Sequence, residues 1–181
     1  MINTLFKTLS IKPLSIEHFS RMHEWFNHPH VQKFYSLRAW TKEEVNKKLM
    51  PYLDNSSSIK GFIILTDNNP IVYIQFCSLD YNPWPDQDFS DEVVLNGVGI
   101  DFLIGEPGLI GRGLGASIIE YFLQEIIWPH YQYCVADPDI KNSASIKTLE
   151  KCGFTIHKSI NTTDTLDRPV ILQLMIKERP K

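Results

Sequence analysis

Residues 93–117 read VVLNGVGIDFLIGEPGLIGRGLGAS, and their reading decides the fold. Val93–Ile104 is apolar enough for a buried strand. The apolar run from Arg112 to about Trp128 reads as a helix. Between them stands Gly111-Arg112-Gly113-Leu114-Gly115. Three glycines at a helix start carry no Cβ and leave several backbone N–H groups open to close approach. Those groups and the positive end of the helix dipole make an anion site, and a phosphate-bearing cofactor is its natural guest.

The loop alone does not name that cofactor. Gly115-Ala116-Ser117 lacks the lysine of a phosphate-binding P-loop. The spacing G-x-G-x-G, deep in the chain, is not the dinucleotide fingerprint. A tight strand-to-helix turn with no ligand is the plain alternative.

Working outward, the chain alternates strand and helix signals. Leu9–Leu14 reads as a strand, and Ser15 as the cap of a helix to about Asn27. Ile16, Phe19, Met22, Trp25 and Phe26 form its apolar stripe, and His28-Pro29-His30 ends it. Thr41-Lys42-Glu43-Glu44 is a capping box opening a helix to about Leu53, followed by a loop at Asn55–Ser58. Gly61–Thr66 and Ile71–Ser78 are strands joined by the turn residues Asp67-Asn68-Asn69-Pro70. A polar loop, Leu79–Glu92, leads to the decisive stretch. Beyond it come a strand at Tyr131–Ala136, a helix capped by Asn142 and ended by Gly153, and two strands, Phe154–Ile160 and Val170–Ile176. The order β-α-α-β-β-β-α-β-α-β-β predicts one mixed α/β domain over residues 1–181.

Composition excludes several classes. Of 181 residues, 43% are hydrophobic and 22% charged, which suffices for a core. A net charge of −3 argues against a nucleic-acid partner. No signal segment and no spanning apolar run is visible, so a cytoplasmic protein without a membrane partner is expected. Cys77, Cys134 and Cys152 sit apart among apolar residues and read as reduced thiols. His18, His23, His28, His30, His130 and His157 show no metal-ligand spacing with acids, and no metal is expected.

The glycine loop, followed about thirty residues on by Asn142, Ile146 and Leu149-Glu150-Lys151-Cys152-Gly153-Phe154, resembles the GNAT superfamily of N-acetyltransferases. The resemblance covers nearly the whole chain. It implies the GNAT fold: a mixed central sheet of about seven strands, splayed where the cofactor enters, with about four flanking helices. It implies acetyl-CoA as cofactor, held by Ile110, Gly111, Arg112, Gly113, Leu114 and Gly115 through loop amides on the pyrophosphate, with Asn142 beside the pantetheine arm. Ile110 is a departure, since the family often has Gln or Arg there.

Two branches of the family compete. Glu24-Trp25-Phe26-Asn27-His28-Pro29-His30-Val31, Phe34-Tyr35, Gly99-Ile100-Asp101 and Asp137-Pro138 look like the aminoglycoside 6′-N-acetyltransferases. Ile104-Gly105-Glu106-Pro107 leans towards siderophore-pathway enzymes that acylate a lysine-derived amine, although those usually carry His where Asp101 stands.

Acetyl transfer to an amine requires removal of the ammonium proton and donors for the carbonyl oxygen. A carboxylate beside the ammonium binds the cation and takes its proton. By resemblance Asp101 has that catalytic role and Asp137 binds the acceptor's amines. Asp101 also reads as a solvent-facing strand residue, and Asp137-Pro138 as plain turn chemistry. Asp139 is a lesser neighbour. Trp84, in an acidic and aromatic loop, is the expected ring for a polyhydroxylated cation, and Phe34 and Tyr35 wall the acceptor pocket or belong to the core. Many relatives place a thiolate-protonating tyrosine where this chain has Leu149, and neither Cys152 nor Ser145 has a geometric reason to replace it.

The expected activity is therefore acetyl-CoA-dependent N-acetylation of a primary amine on a cationic small molecule, best an aminoglycoside 6′-amine, by direct transfer in a ternary complex. A hydroxylysine or polyamine acceptor is the alternative, and a non-catalytic acyl-CoA-binding protein is a third. Monomer and homodimer are both open.

Overall fold

The computed structural model describes residues 8–53, 57–81, 83–84 and 86–181. Asn55 and Ser56 of the expected loop at Asn55–Ser58 therefore lie outside the described residues. The described chain carries a seven-stranded mixed sheet of order β1-β2-β3-β4-β5-β7-β6. It divides into two compact units, residues 1–76 with 102–114 and residues 77–101 with 115–181.

The first unit begins with β1 (Leu9–Pro13). Ile16–His18 form a 3-10 turn, and α1 starts only at Phe19 and runs to Phe26. The expected cap at Ser15 is present in altered form: its N–H donates to Nδ1 of His18 at 3.0 Å, which tightens the first turn. Ile16, expected on the buried stripe, is 67% exposed because that tight turn swings it off the helix face. Met22, Trp25 and Phe26 are fully buried, each contributing about 1.5–3 kcal/mol of apolar burial. His28-Pro29-His30 does not merely end α1. It opens a short helix, α2 (Pro29–Val31), which passes into a π-helical turn at Gln32–Ser36. The Thr41/Glu44 capping box forms as read, opening α3 (Lys42–Leu49), and Met50–Tyr52 continue as a 3-10 turn.

β2 (Lys60–Thr66) and β3 (Asn69–Ser78) pair antiparallel. Their turn is the two-residue Asp67-Asn68, both at positive φ, so Asn69 and Pro70 belong to β3.

The decisive stretch is divided differently from its sequence reading. Asp91–Asn96 form a helix, α4, and β4 spans Gly97–Ile104. Val93–Asn96 are therefore not strand. The Ser90 hydroxyl caps α4 by accepting from Val93 N, and Asp91 and Glu92 complement the helix dipole. Gly97 marks the change of direction, since a Cβ there would stand 2.4 Å from the Val93 carbonyl oxygen.

α5 runs from Leu114 to Phe122, two residues later than expected, and Leu123–Ile127 widen into a π-helical turn. β5 (Tyr133–Ala136), α6 (Ser143–Lys151), β6 (Thr155–Thr163) and β7 (Pro169–Glu178) complete the second unit. Asn142 Oδ1 caps α6 through Ser145 N at 3.2 Å, and Gly153 follows it at φ +80°. All three cysteines are free; Cys134 and Cys152 are buried and Cys77 is half-buried. No helix among the described residues is long and apolar enough to cross a membrane.

Candidate active site

The second unit holds an acid pair made by strand register. β4 and β5 run parallel, and their pairing covers Gly97–Gly99 against Tyr133–Val135. Asp101 stands two residues past Gly99, and Asp137 two residues past Val135. Side chains alternate along strands, so equal offsets from a paired position put both carboxylates on the same side. Each is close enough for the Asp101 charge to act on Asp137.

Asp101 is exposed and Asp137 half-buried. Burial first, then the Asp101 charge, push Asp137 well above the ordinary carboxylate value. Two contacts oppose this: Trp84 Nε1 donates to Asp137 Oδ2 at 2.8 Å, and the residue's own backbone N–H lends a smaller hydrogen bond. The same indole covers Gly99, where a Cβ would meet Trp84 Cη2 at 3.0 Å. Cys77, which the sequence marks only as a reduced thiol, belongs to this group. Burial and then the charges of Asp101 and Asp137 push its thiol up to about 11, so it stays protonated. Nothing in the sequence spacing signals that proximity.

The glycine loop meets its geometric requirements in the first unit. Gly111 and Gly113 both sit at φ +74°, a region L side chains avoid. No atom lies within 4 Å of where a Cβ would stand on either, so the backbone is open to a guest. Left-handed residues within a turn are a usual part of anion-binding backbone concavities. Ile110 and Arg112 are exposed, and Leu114 is buried. Gly115 differs from the other two. A Cβ there would stand 2.9 Å from Thr148 Cγ2, so this glycine lets α5 approach α6.

The other expected site residues have plainer surroundings. Asn142 uses its amide oxygen as the α6 cap. Asp139 accepts from Lys141 N at 2.8 Å within a turn. Tyr35 packs against the apolar core of the first unit, 5.8 Å from the Phe26 ring. Phe34 is half-buried, with Lys33 Nζ 5.0 Å from its ring centroid. Leu149 is fully buried and supplies no proton. Among the described residues no cluster of His, Cys, Asp or Glu fits a metal ion.

Residues 16–162, spanning both the glycine loop and the acid pair, match the family model of the acetyltransferase (GNAT) domain. The chain belongs to the GNAT acetyltransferase family. Solved GNAT structures share its fold. Aminoglycoside acetyltransferase AAC(6′)-Ib in complex with coenzyme A is 22% identical, with TM-score 0.79 over 95% of each chain. The aminoglycoside N(6′)-acetyltransferase from Legionella pneumophila is 18% identical, with TM-score 0.72 over 96% of this chain and 94% of that one. Spermidine N-acetyltransferase from Vibrio cholerae, in complex with CoA and spermine, is 13% identical, with TM-score 0.74 over 94% and 95%. No curated protein sequence matches the chain. At these identities the likeness is one of fold. The seven-stranded sheet expected of a GNAT protein is present, while its helical segments are shorter and more numerous than the four expected.

Proposed function

We propose that this GNAT acetyltransferase transfers acetyl from acetyl-CoA to a primary amine on a cationic small molecule, with an aminoglycoside 6′-amine as the best-fitting acceptor. The observation that carries the acceptor class is the pair Asp101 and Asp137, two carboxylates at matching positions past the end of the β4–β5 pairing. Two like charges held together are unfavourable alone and become favourable around an ammonium. AAC(6′)-Ib bound to kanamycin shares the fold, which supports the aminoglycoside reading.

The glycine loop fits the cofactor: Gly111 and Gly113 form an open cradle that any side chain would strain. Its amides would hold the phosphates, and by family resemblance Asn142 would meet the pantetheine arm. Bound acetyl-CoA supplies an acetyl thioester. The acid pair binds and orients the acceptor ammonium, then accepts one proton from it, so the nitrogen lone pair is free to attack. A carboxylate whose pKa is raised towards that of its donor accepts the proton more readily, and Asp137 has that property. Trp84 fixes Asp137 and offers an aromatic face to the acceptor. Transfer is direct, with no covalent enzyme intermediate: as the nitrogen bonds to the acetyl carbon the thioester C–S bond would break, and CoA would leave as a thiolate protonated by water, since Leu149 has no proton to give. The single domain over residues 1–181 and a cytoplasmic location remain parts of this reading.

A CoA-release assay against aminoglycosides, polyamines and lysine-derived hydroxylamines tests it. Saturable turnover on an aminoglycoside, lost in Asp101→Asn, supports the reading. Turnover confined to polyamines or hydroxylamines replaces the acceptor. CoA binding with no turnover on any amine replaces the activity with acyl-CoA binding.

A further inference from the structure

Two sequence motifs that the acid pair does not use meet in the first unit. His28 donates Nδ1–H to the Gly105 carbonyl at 2.9 Å. His30 donates Nε2–H to the Ile104 carbonyl, also at 2.9 Å. A carbonyl only accepts, so each contact fixes where a ring proton sits: on Nδ1 in His28 and on Nε2 in His30. Pro29 makes this possible. It occupies the first position of α2, with His28 extended at ψ 135° before it, so residues 28 and 30 reach consecutive carbonyls.

Further contacts fix the same short segment. Gly105 N–H donates to the Ile71 carbonyl at 2.9 Å, so both its backbone groups are engaged. A Cβ on Gly105 would stand 2.0 Å from Trp25 Cε2, so the indole fills the space a side chain would need. Trp25 Nε1 in turn donates to Glu106 Oε1 at 3.2 Å. A 3-10 turn, Pro107–Leu109, then leads directly to Ile110 and Gly111. The chain entering the glycine loop is thus held at three successive residues, 104 to 106, by α1 and by the residues that open α2.

We propose that His28 and His30 are positioning residues for coenzyme A binding: two side-chain N–H donors that set where the glycine loop begins. This rests on the glycine loop being the phosphate site. The inference concerns cofactor binding, so the acceptor has no part in it.

The two rings use different nitrogens, which gives a crossed test. Asn carries its N–H at the distance of Nδ1, and Gln carries it one bond further, near Nε2. His28→Asn and His30→Gln therefore keep the donor, whereas His28→Gln and His30→Asn misplace it. Titration of each full-length variant with CoA, together with KM for acetyl-CoA and for the acceptor, reads the effect. The expected result is CoA binding near wild type in the first two variants and weakened about fivefold in the last two, with acceptor KM unchanged. Melting curves confirm that each is folded at the assay temperature. If one histidine's variants do not fold, the other's decide the same question. Wild-type CoA binding in all four overturns the proposal, as does equal loss for Asn and Gln at each position. Gly113→Val separates the underlying reading. If it binds CoA as wild type does, the glycine loop is not the phosphate site and both fall. If it loses CoA while the histidine variants do not, only the proposal falls.

Discussion

Trp84 donates its indole N–H to Asp137 Oδ2 at 2.8 Å while its ring lies over Gly99, the last β4 residue paired with β5. One side chain thus caps the end of the parallel pairing and holds the carboxylate just beyond it. The contact favours the ionised form of Asp137, against burial and the charge of Asp101. The affinity of Asp137 for a proton is a balance of these influences and a smaller backbone hydrogen bond, and the Trp84 and Asp101 parts are open to substitution.

Trp84→Phe keeps the ring and removes the donor. Asp137 then loses the contact that lowers its pKa, and its pKa rises further. If the ionised pair is the form that binds and deprotonates the acceptor, the acid limb of kcat/KM against pH moves to higher pH. A hydrogen bond to a charged group is worth about 1.5–3 kcal/mol, so activity below the wild-type limb should fall about tenfold or more. An unmoved limb would show that Asp137 does not control it.

Asp137→Asn should stabilise the protein while disabling it. In the folded chain the carboxylate has a raised pKa, so the folded state binds more protons than the unfolded state as pH rises from the ordinary carboxylate value through the raised one. Wild-type stability therefore falls across that window and stays low above it. An amide carries no charge and still offers an oxygen to Trp84. The variant is expected to gain on the order of 1 kcal/mol at neutral pH, about 2–4 °C in Tm for a chain of this size, with the gap closing in acid. Thermal melts at neutral and acid pH check the sign, and the same sample assayed for acetyl transfer checks the loss.

Cys77 reports on the pair without any turnover assay. Its thiol is held high by burial, then by Asp101 and Asp137, while Cys134 and Cys152 are buried. Removing the Asp101 charge in Asp101→Asn lowers the Cys77 pKa, and alkylation at mildly alkaline pH should quicken by about threefold or more, since the thiolate is the reacting form. Mass spectrometry of the alkylated peptide gives the site and the rate. An unchanged rate would mean that the two groups are too well screened to sense each other.

How legible this was in the sequence depended on whether a signal was local. The Thr41/Glu44 box, the Asn142 cap and the Gly153 stop are set by neighbouring residues, and all are present as read. Val93–Asn96 were misread because their apolar side chains suit either element; Ser90-Asp91-Glu92 carried the helix signal. Ile16 followed the helical period but sits in a 3-10 turn. Asp101 and Asp137 were legible as candidates by resemblance and Trp84 from its acidic, aromatic loop, yet the Trp84–Asp137 bond and the presence of Cys77 depend on residues far apart in the chain. The same holds for His28 and His30, whose partners are backbone carbonyls more than seventy residues away.

Gly115 shows how one motif can mix two purposes. Unlike Gly111 and Gly113, it does not sit at positive φ, and it has a close neighbour, Thr148 Cγ2, 2.9 Å from where its Cβ would stand. Gly115→Ala should therefore push α5 away from α6 and destabilise the protein by about 1–3 kcal/mol, the usual range for overpacking. Thr148→Ser removes only that methyl; the next atoms, Oγ1 and Cβ, lie at 3.6 and 3.9 Å and tolerate a Cβ. The double variant is expected to recover most of the loss, giving a coupling of about 1 kcal/mol or more in denaturant melts. CoA affinity should follow Gly111 and Gly113 substitutions and change little in the rescued double variant. If rescue of stability left CoA binding impaired, Gly115 would serve the phosphate site directly as well as the helix contact.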